Sequence, residues 1–226
     1  YEKILLFDDE NYKVMIELGK LYSDSKEFDK AEAIYNEVIK CTKPTISAHY
    51  KLALTYGQQK KFLQAIIAFK EALKLSPDDL EIKYQLGVAY KELKMFDNAL
   101  KYFEDYITNN NNDHIGYFLL GQCYLEENDY IAALIAFDRA NNIFPNDDHI
   151  LYNLGICNLK LNEYEDSARK FREALKINSE DPNIYFALGK SYIKLNKKKK
   201  VNDILDILYM LDPNYYESLL ILANKN

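Results

Sequence analysis

From His114 to Asp147 the chain reads HIGYFLLGQCYLEENDYIAALIAFDRANNIFPND, and its apolar positions fall into two successive helical stripes. Leu120, Gly121 and Tyr124 mark the first stripe; Ala133, Phe137 and Ala140 mark the second. Asn128-Asp129 interrupts the pattern between them and Pro145 interrupts it after, so the segment predicts two helices and two turns. Gly121 and Ala133 take bulk away from the facing sides, while Leu120, Tyr124 and Phe137 supply the apolar surface around the contact. A lone hairpin of this kind still has apolar outer faces, so it must stack on copies of itself.

The copies are present at a fixed offset of 34 residues, without insertion or deletion. The Gly121 place is taken by Gly19, Ala53, Gly87, Gly155, Gly189 and Ala223, and Leu precedes each of them. The Tyr124 place recurs as Tyr22, Tyr56, Tyr90 and Tyr192, with Asn158 the exception. Ala31, Ala65, Ala99, Ser167 and Val201 match Ala133; Tyr1, Tyr35, Phe69, Phe103, Phe171 and Leu205 match Phe137. Pro77 and Pro213 stand in step with Pro145.

This pattern resembles the tetratricopeptide repeat family across essentially the whole chain. The resemblance implies an all-α fold, a right-handed superhelical solenoid of antiparallel helix pairs, read as a single array. Complete units are expected at 12–45, 46–79, 80–113, 114–147, 148–181 and 182–215, with a partial unit at 1–11 and a partial or capping helix at 216–226. Within that last stretch Leu219, Leu220, Ile221 and Leu222 are apolar on every side, which predicts that more chain or a partner covers them. The chain opens at Tyr1 in mid-pattern and without Met, so it is expected to be a piece of a longer product.

Charge changes this picture little. The net charge is -6, and residues 1–113 carry 16 basic and 19 acidic side chains against 13 and 16 in residues 114–226. Neither half is a nucleic-acid or membrane surface by composition, and no apolar run reaches the roughly 18 residues of a membrane span. Lys197 to Lys200 form a local exception, expected to be a solvated turn or a contact for an acidic partner. Cys123 and Cys157 repeat at one place of adjacent units, and with Cys41 they are expected to be reduced packing residues, which favours a cytoplasmic address.

No catalytic constellation emerges. His49, His114 and His149 fall at different places of their units, and neither a zinc-spaced Cys pair nor a phosphate-binding Gly loop is present. The expectation is a non-enzymatic module with no cofactor, no metal, no small-molecule substrate, no nucleic acid and no membrane insertion.

In the family the resemblance points to, the first helix of each unit lines the inner face. The fifth place of successive units holds Ile16, Tyr50, Tyr84, Phe118, Tyr152 and Phe186, and one turn on, the ninth holds Lys20, Leu54, Val88, Gln122, Ile156 and Lys190. With Ile115, Leu119, Leu125, Asn153, Leu159 and Ile193 added, the later units present an aromatic and aliphatic groove. The rings at the fifth place either stiffen the stack or contact a partner. Ile115, Leu119 and Leu125 have no core duty in the pattern, and an exposed apolar groove marks a binding surface, so the expected ligand is an apolar or amphipathic protein segment, helical or extended.

Two recognition modes of similar repeat proteins fit poorly. The clamp for a chaperone's C-terminal carboxylate needs Lys and Asn on one first helix, Asn on the next and Lys with Arg on the third, where this chain has Ile16 with Lys20, Lys51, and Glu81 with Gln85. The Asn ladder of glycosyltransferase arrays is met at the sixth place by Asn153 alone. Self-association through the terminal helices, and service to a catalytic domain outside this segment, are the alternative roles.

Overall fold

The computed structural model describes residues 9–41 and 45–225. Among them are thirteen α-helices and no strand, the fold class expected of an all-α solenoid of helix pairs. The chain divides into two compact units, Tyr1–Asn110 and Asn111–Asn226. Of the partial unit expected at 1–11, residues 1–8 lie outside the described residues.

The first unit holds three hairpins: α1 (Asp9–Asp24) with α2 (Phe28–Cys41), α3 (Ile46–Gln58) with α4 (Phe62–Leu75), and α5 (Leu80–Glu92) with α6 (Phe96–Asn109). Each helix packs on the next, so the hairpins stack in chain order. The second unit repeats the scheme with α7 (His114–Glu126) and α8 (Tyr130–Ile143), α9 (Asp148–Lys160) and α10 (Tyr164–Ile177), and α11 (Pro182–Lys194) and α12 (Lys198–Leu211). A thirteenth helix, α13 (Pro213–Asn224), packs on both α11 and α12.

The Leu-Gly pair and the aromatic residue on the following helix are one device. A Cβ on Gly87 would lie 2.6 Å from the Phe103 ring, one on Gly121 2.8 Å from Phe137, and one on Gly155 2.6 Å from Phe171. No such contact is sterically allowed, so the glycine is what lets each ring sink against the first helix. The three Phe rings are fully buried, each stabilising its hairpin by about 1.5–3 kcal/mol on a transfer basis.

Hairpin turns have a common geometry with two kinds of residue. Lys26, Lys60 and Lys94 in the first unit, and Asn128, Asn162 and Asn196 in the second, all take left-handed backbone with φ between 53° and 64°. The N–H three positions beyond each first helix reaches back to a carbonyl in its last turn, as from Met95 to Tyr90 (3.0 Å) and from Glu163 to Asn158 (2.8 Å). That closure satisfies helix-end carbonyls and requires a left-handed residue, a place glycine or Asn usually fills.

First helices in the second unit start on an Asp cap. The Asp147 carboxylate accepts from the Ile150 N–H at 2.9 Å, and the Asp181 carboxylate from the Asn183 N–H at 2.8 Å. The same signature accounts for a departure from the expected register. Asp212 caps α13 by accepting from the Asn214 N–H (2.8 Å), and Pro213 stands in the first turn, so the helix opens at Pro213 rather than at Tyr216. Proline at a first helical position is pre-set for the helix and has no N–H to leave unpaired.

Leu219 is fully buried, and its Cδ2 stands 2.5 Å from where a Cβ on Gly189 would be. Of the apolar run Leu219 to Leu222, Ile221 alone is broadly open, at 55% exposure. The uncovered end expected from the sequence is therefore mostly a covered one. Ser167, in a place where Ala is usual, is buried but satisfied, donating to the Gly155 carbonyl at 2.8 Å and pairing with the Ser191 hydroxyl at 2.9 Å. Cys123 and Cys157 are both buried; burial, with Asp138 nearby, pushes the Cys157 thiol up to about 12. The side chain of Cys41 lies outside the described residues.

Candidate partner-binding face

In the second unit the first helices α7, α9 and α11 carry most of the side chains expected in the groove. The fifth-place rings are half-buried, and each has an aromatic neighbour. Phe118 meets Phe137 edge-on with centroids 5.6 Å apart, Tyr152 meets Phe171 at 5.6 Å, and Phe186 meets Tyr215 at 5.4 Å. Tilted and edge contacts at such distances are favourable beyond area burial. These rings thus brace the hairpin while showing one side to the surface. Burial, followed by Tyr215 and Asp181, holds the Tyr152 hydroxyl above its ordinary pKa.

The aliphatic places answer differently. Ile115 is 47% exposed, and Leu119, Gln122, Leu125, Ile156 and Leu159 are half-buried, so the hairpin stack does not consume them. Asn153 is also half-buried, and its amide donates to the His149 carbonyl of its own helix at 2.8 Å. Ile193 departs from expectation. It is only 9% exposed and belongs to the core formed with α12 and α13. Lys190 lies half-buried with its ammonium 5.5 Å from the Phe186 ring centroid. Burial, and then the neighbouring Lys160 charge, holds its pKa below the ordinary lysine value.

The first unit has its own apolar opening. Tyr84 packs against Phe103 (6.2 Å) and Tyr106 (5.2 Å). Val88 lines a cavity of about 310 Å³ with Leu54, Gly57, Phe62, Phe69 and Gln85. The cavity exists because Gly57 stands where the second unit has Leu125, Leu159 and Ile193. A Cβ at Gly57 would meet nothing within 4 Å. The missing side chain is visible in the sequence as a glycine at a place that is otherwise aliphatic in the second unit.

Among the described residues no group of His, Cys, Asp and Glu is arranged to hold a metal ion, and no helix is long and apolar enough to cross a membrane. The chemistry on offer is apolar contact, aromatic edges and a few cations.

Comparison with known proteins agrees with the repeat frame. Tetratricopeptide repeat profiles match residues 12–41 and 46–79, and a TPR repeat profile matches 159–196. Residues 92–174 match a profile described as anaphase-promoting complex, cyclosome, subunit 3. No curated protein sequence matches the chain. Among solved structures, MamA residues 41 to the end from Desulfovibrio magneticus RS-1 are 19% identical with a TM-score of 0.72, covering 76% of this chain and 97% of that one. YrrB, described as a TPR protein with an unusual peptide-binding site, is 23% identical with a TM-score of 0.70, covering 85% and 92%. A tetratricopeptide repeat protein from Parabacteroides merdae ATCC 43184 is 17% identical with a TM-score of 0.77, covering 94% and 85%. Such identities speak for the fold alone. Joined to the unbroken 34-residue frame and the glycine notches beneath aromatic rings, the profile matches show that the chain belongs to the tetratricopeptide repeat family.

Proposed function

We propose that the chain is a protein-interaction scaffold, without catalytic activity in this segment, that receives an apolar or amphipathic segment on the open faces of its first helices. The family and its fold support the scaffold. The finer reading rests on one observation: after the hairpins have stacked, Ile115 is 47% exposed and Leu119, Leu125, Ile156 and Leu159 still keep part of their apolar surface accessible. Apolar surface left open in contiguous patches is the mark of a contact site, and a helix offering anchors about a turn apart suits it. A cytoplasmic address belongs to the same reading.

Phe118 and Tyr152 are poor probes, because each also seats on a core ring. The test uses the paired substitution Ile115→Ser and Leu119→Ser, at residues neither of which packs against the buried core of the second unit, with selection from a displayed library of random helical peptides. Wild type should enrich peptides with apolar residues three and four apart, and the variant should bind them at least tenfold more weakly at an unchanged melting temperature. No enrichment, or equal binding by the variant, refutes the groove. Gly57→Leu, which fills open space, tests separately whether the cavity of the first unit takes an anchor.

A second reading, self-association, is favoured by the exposure of Tyr209 (64%), Met210 (80%) and Ile221 (55%) on α12 and α13. Light scattering that gives a monomer at high concentration removes it.

A further inference from the structure

From Pro182 to Asn202 the chain carries six lysines and no acidic residue, in a protein whose net charge is -6. The fold gathers Lys190 and Lys194 of this run with Lys160 of the preceding hairpin around a cavity of about 290 Å³ floored by Leu159, Ile193 and Leu222. On the other side of Ile193, a second cavity of about 240 Å³ is edged by Lys197 and Lys198. Among the described residues, none of these five lysines has a carboxylate within ion-pair distance. Ammonium groups normally collect acidic neighbours on a mixed-charge surface, and here the nearest substitute is aromatic: Lys190 lies over Phe186 and Lys160 over Tyr130.

We infer that this end of the second unit recognises an acidic-apolar segment of a protein partner, a carboxylate beside an aliphatic or aromatic anchor, with Lys160, Lys190 and Lys194 facing the carboxylate and Leu159 and Leu222 facing the anchor. The inference rests on the proposed groove, because Leu159 and Lys190 belong to both. It assigns the groove a polarity of charge that the apolar face alone does not have. Burial and Lys160 together depress the Lys190 pKa, so an incoming carboxylate would relieve an existing repulsion rather than displace a native partner. Lys190 shares the ninth place of its unit with Lys20, one of the places weighed for the carboxylate clamp, but Lys160 and Lys194 stand at the thirteenth place, in the last turns of α9 and α11, which that clamp does not use.

A peptide fits this chemistry better than a phosphodiester chain. The floor is aliphatic, no arginine lines either cavity, and lysine offers point charges without the planar fork that grips phosphate. Nucleic acid then becomes an outcome of the test.

The experiment measures fluorescence anisotropy of a labelled peptide of about twelve residues, alternating Glu with Leu and Phe, against the full chain at about 50 and 200 mM salt, since an exposed charge pairing weakens with ionic strength. Three further arms are its Gln isostere, a single-stranded oligonucleotide, and the variant K160M/K190M/K194M, in which methionine keeps the apolar stem of each lysine. The acidic peptide should bind at least tenfold tighter than the Gln isostere, and the variant should lose that advantage at an unchanged melting temperature. Equal binding of the two peptides, absence of binding, or tighter binding of the oligonucleotide overturns the inference. The variant I115S/L119S separates the two proposals. If it loses the peptide while the lysine variant keeps it, the groove stands and the acidic specificity falls; the reverse result leaves the lysine site and removes the groove.

Discussion

Gly155 and Gly189 hold the same place in successive repeats, yet their notches are filled by different routes. In the α9–α10 hairpin the ring comes from within, and Phe171 lies 2.6 Å from where a Cβ on Gly155 would be. In the α11–α12 hairpin the corresponding residue is Leu205, and the atoms nearest the notch belong to Leu219 of α13. The repeat thus requires a filled notch but not a particular donor. An interior hairpin is complete by itself at this point, whereas the last one is completed by the helix that follows it. That dependence explains why α13 packs on α11 as well as on α12, and why Ile193, a groove residue by register, is buried instead.

The sharpest way to break the comparison is to empty both notches. Phe171→Ala should cost about 3–5 kcal/mol by urea unfolding, the usual toll of removing a buried ring. Cys157 gives an independent check. Burial pushes its thiol up to about 12, so it is protonated and inert at neutral pH in the folded chain, and alkylation near pH 8 should track opening of the second unit and run faster in this variant. Leu219→Ala should come next, at about 3 kcal/mol; a negligible cost would mean that α13 does not complete the last hairpin. Leu205→Phe should be milder alone, about 1–3 kcal/mol, because a ring entering the Gly189 notch collides with Leu219. Combined with Leu219→Ala it should cost less than the two single changes added together, by about 0.5–3 kcal/mol, since the ring then has room. Strict additivity would deny that Leu205 and Leu219 compete for one place.

How much of this was legible depends on whether a feature is local to the 34-residue frame. The hairpins, the glycine notches and the fifth-place rings are local, and they follow from period and side-chain size. The start of α13 was misplaced because Asp212-Pro213 carries two meanings, a turn by analogy with Pro145 and a helix start by cap chemistry. The Ile193 error follows from the same misplacement, since its burial depends on where α13 lies. Asn128 announced its turn, but Lys26, Lys60 and Lys94 take the same left-handed backbone with no local sequence signal, held there by the closure between helices. The Gly57 cavity is an absence, and periodicity scores the residues that are present. Register could say that Ile115 and Leu119 keep accessible surface but could not reveal that Phe118 and Tyr152 also serve the core.

The smallest predicted effect is a control on what the two hairpins share. Asn162 and Asn196 close the turns of α9–α10 and α11–α12 with φ of 64° and 53°. Asn enters the left-handed region more easily than lysine because its short polar side chain can bond locally, so Asn→Lys at either turn should cost about 1 kcal/mol or less. Three turns of the first unit already carry lysine in that conformation, which sets the tolerance. If the hairpins differ only in how their notch is filled, Asn162→Lys and Asn196→Lys should lower the urea midpoint by the same amount. A markedly larger loss at Asn196 would show that the last hairpin is weaker throughout, and that α13 supports its turn as well as its core. Like charge must be kept out of that measurement, because Asn196 precedes Lys197 to Lys200. Repeating both substitutions as Asn→Met, uncharged and equally unsuited to left-handed backbone, separates the backbone cost from repulsion among neighbouring lysines.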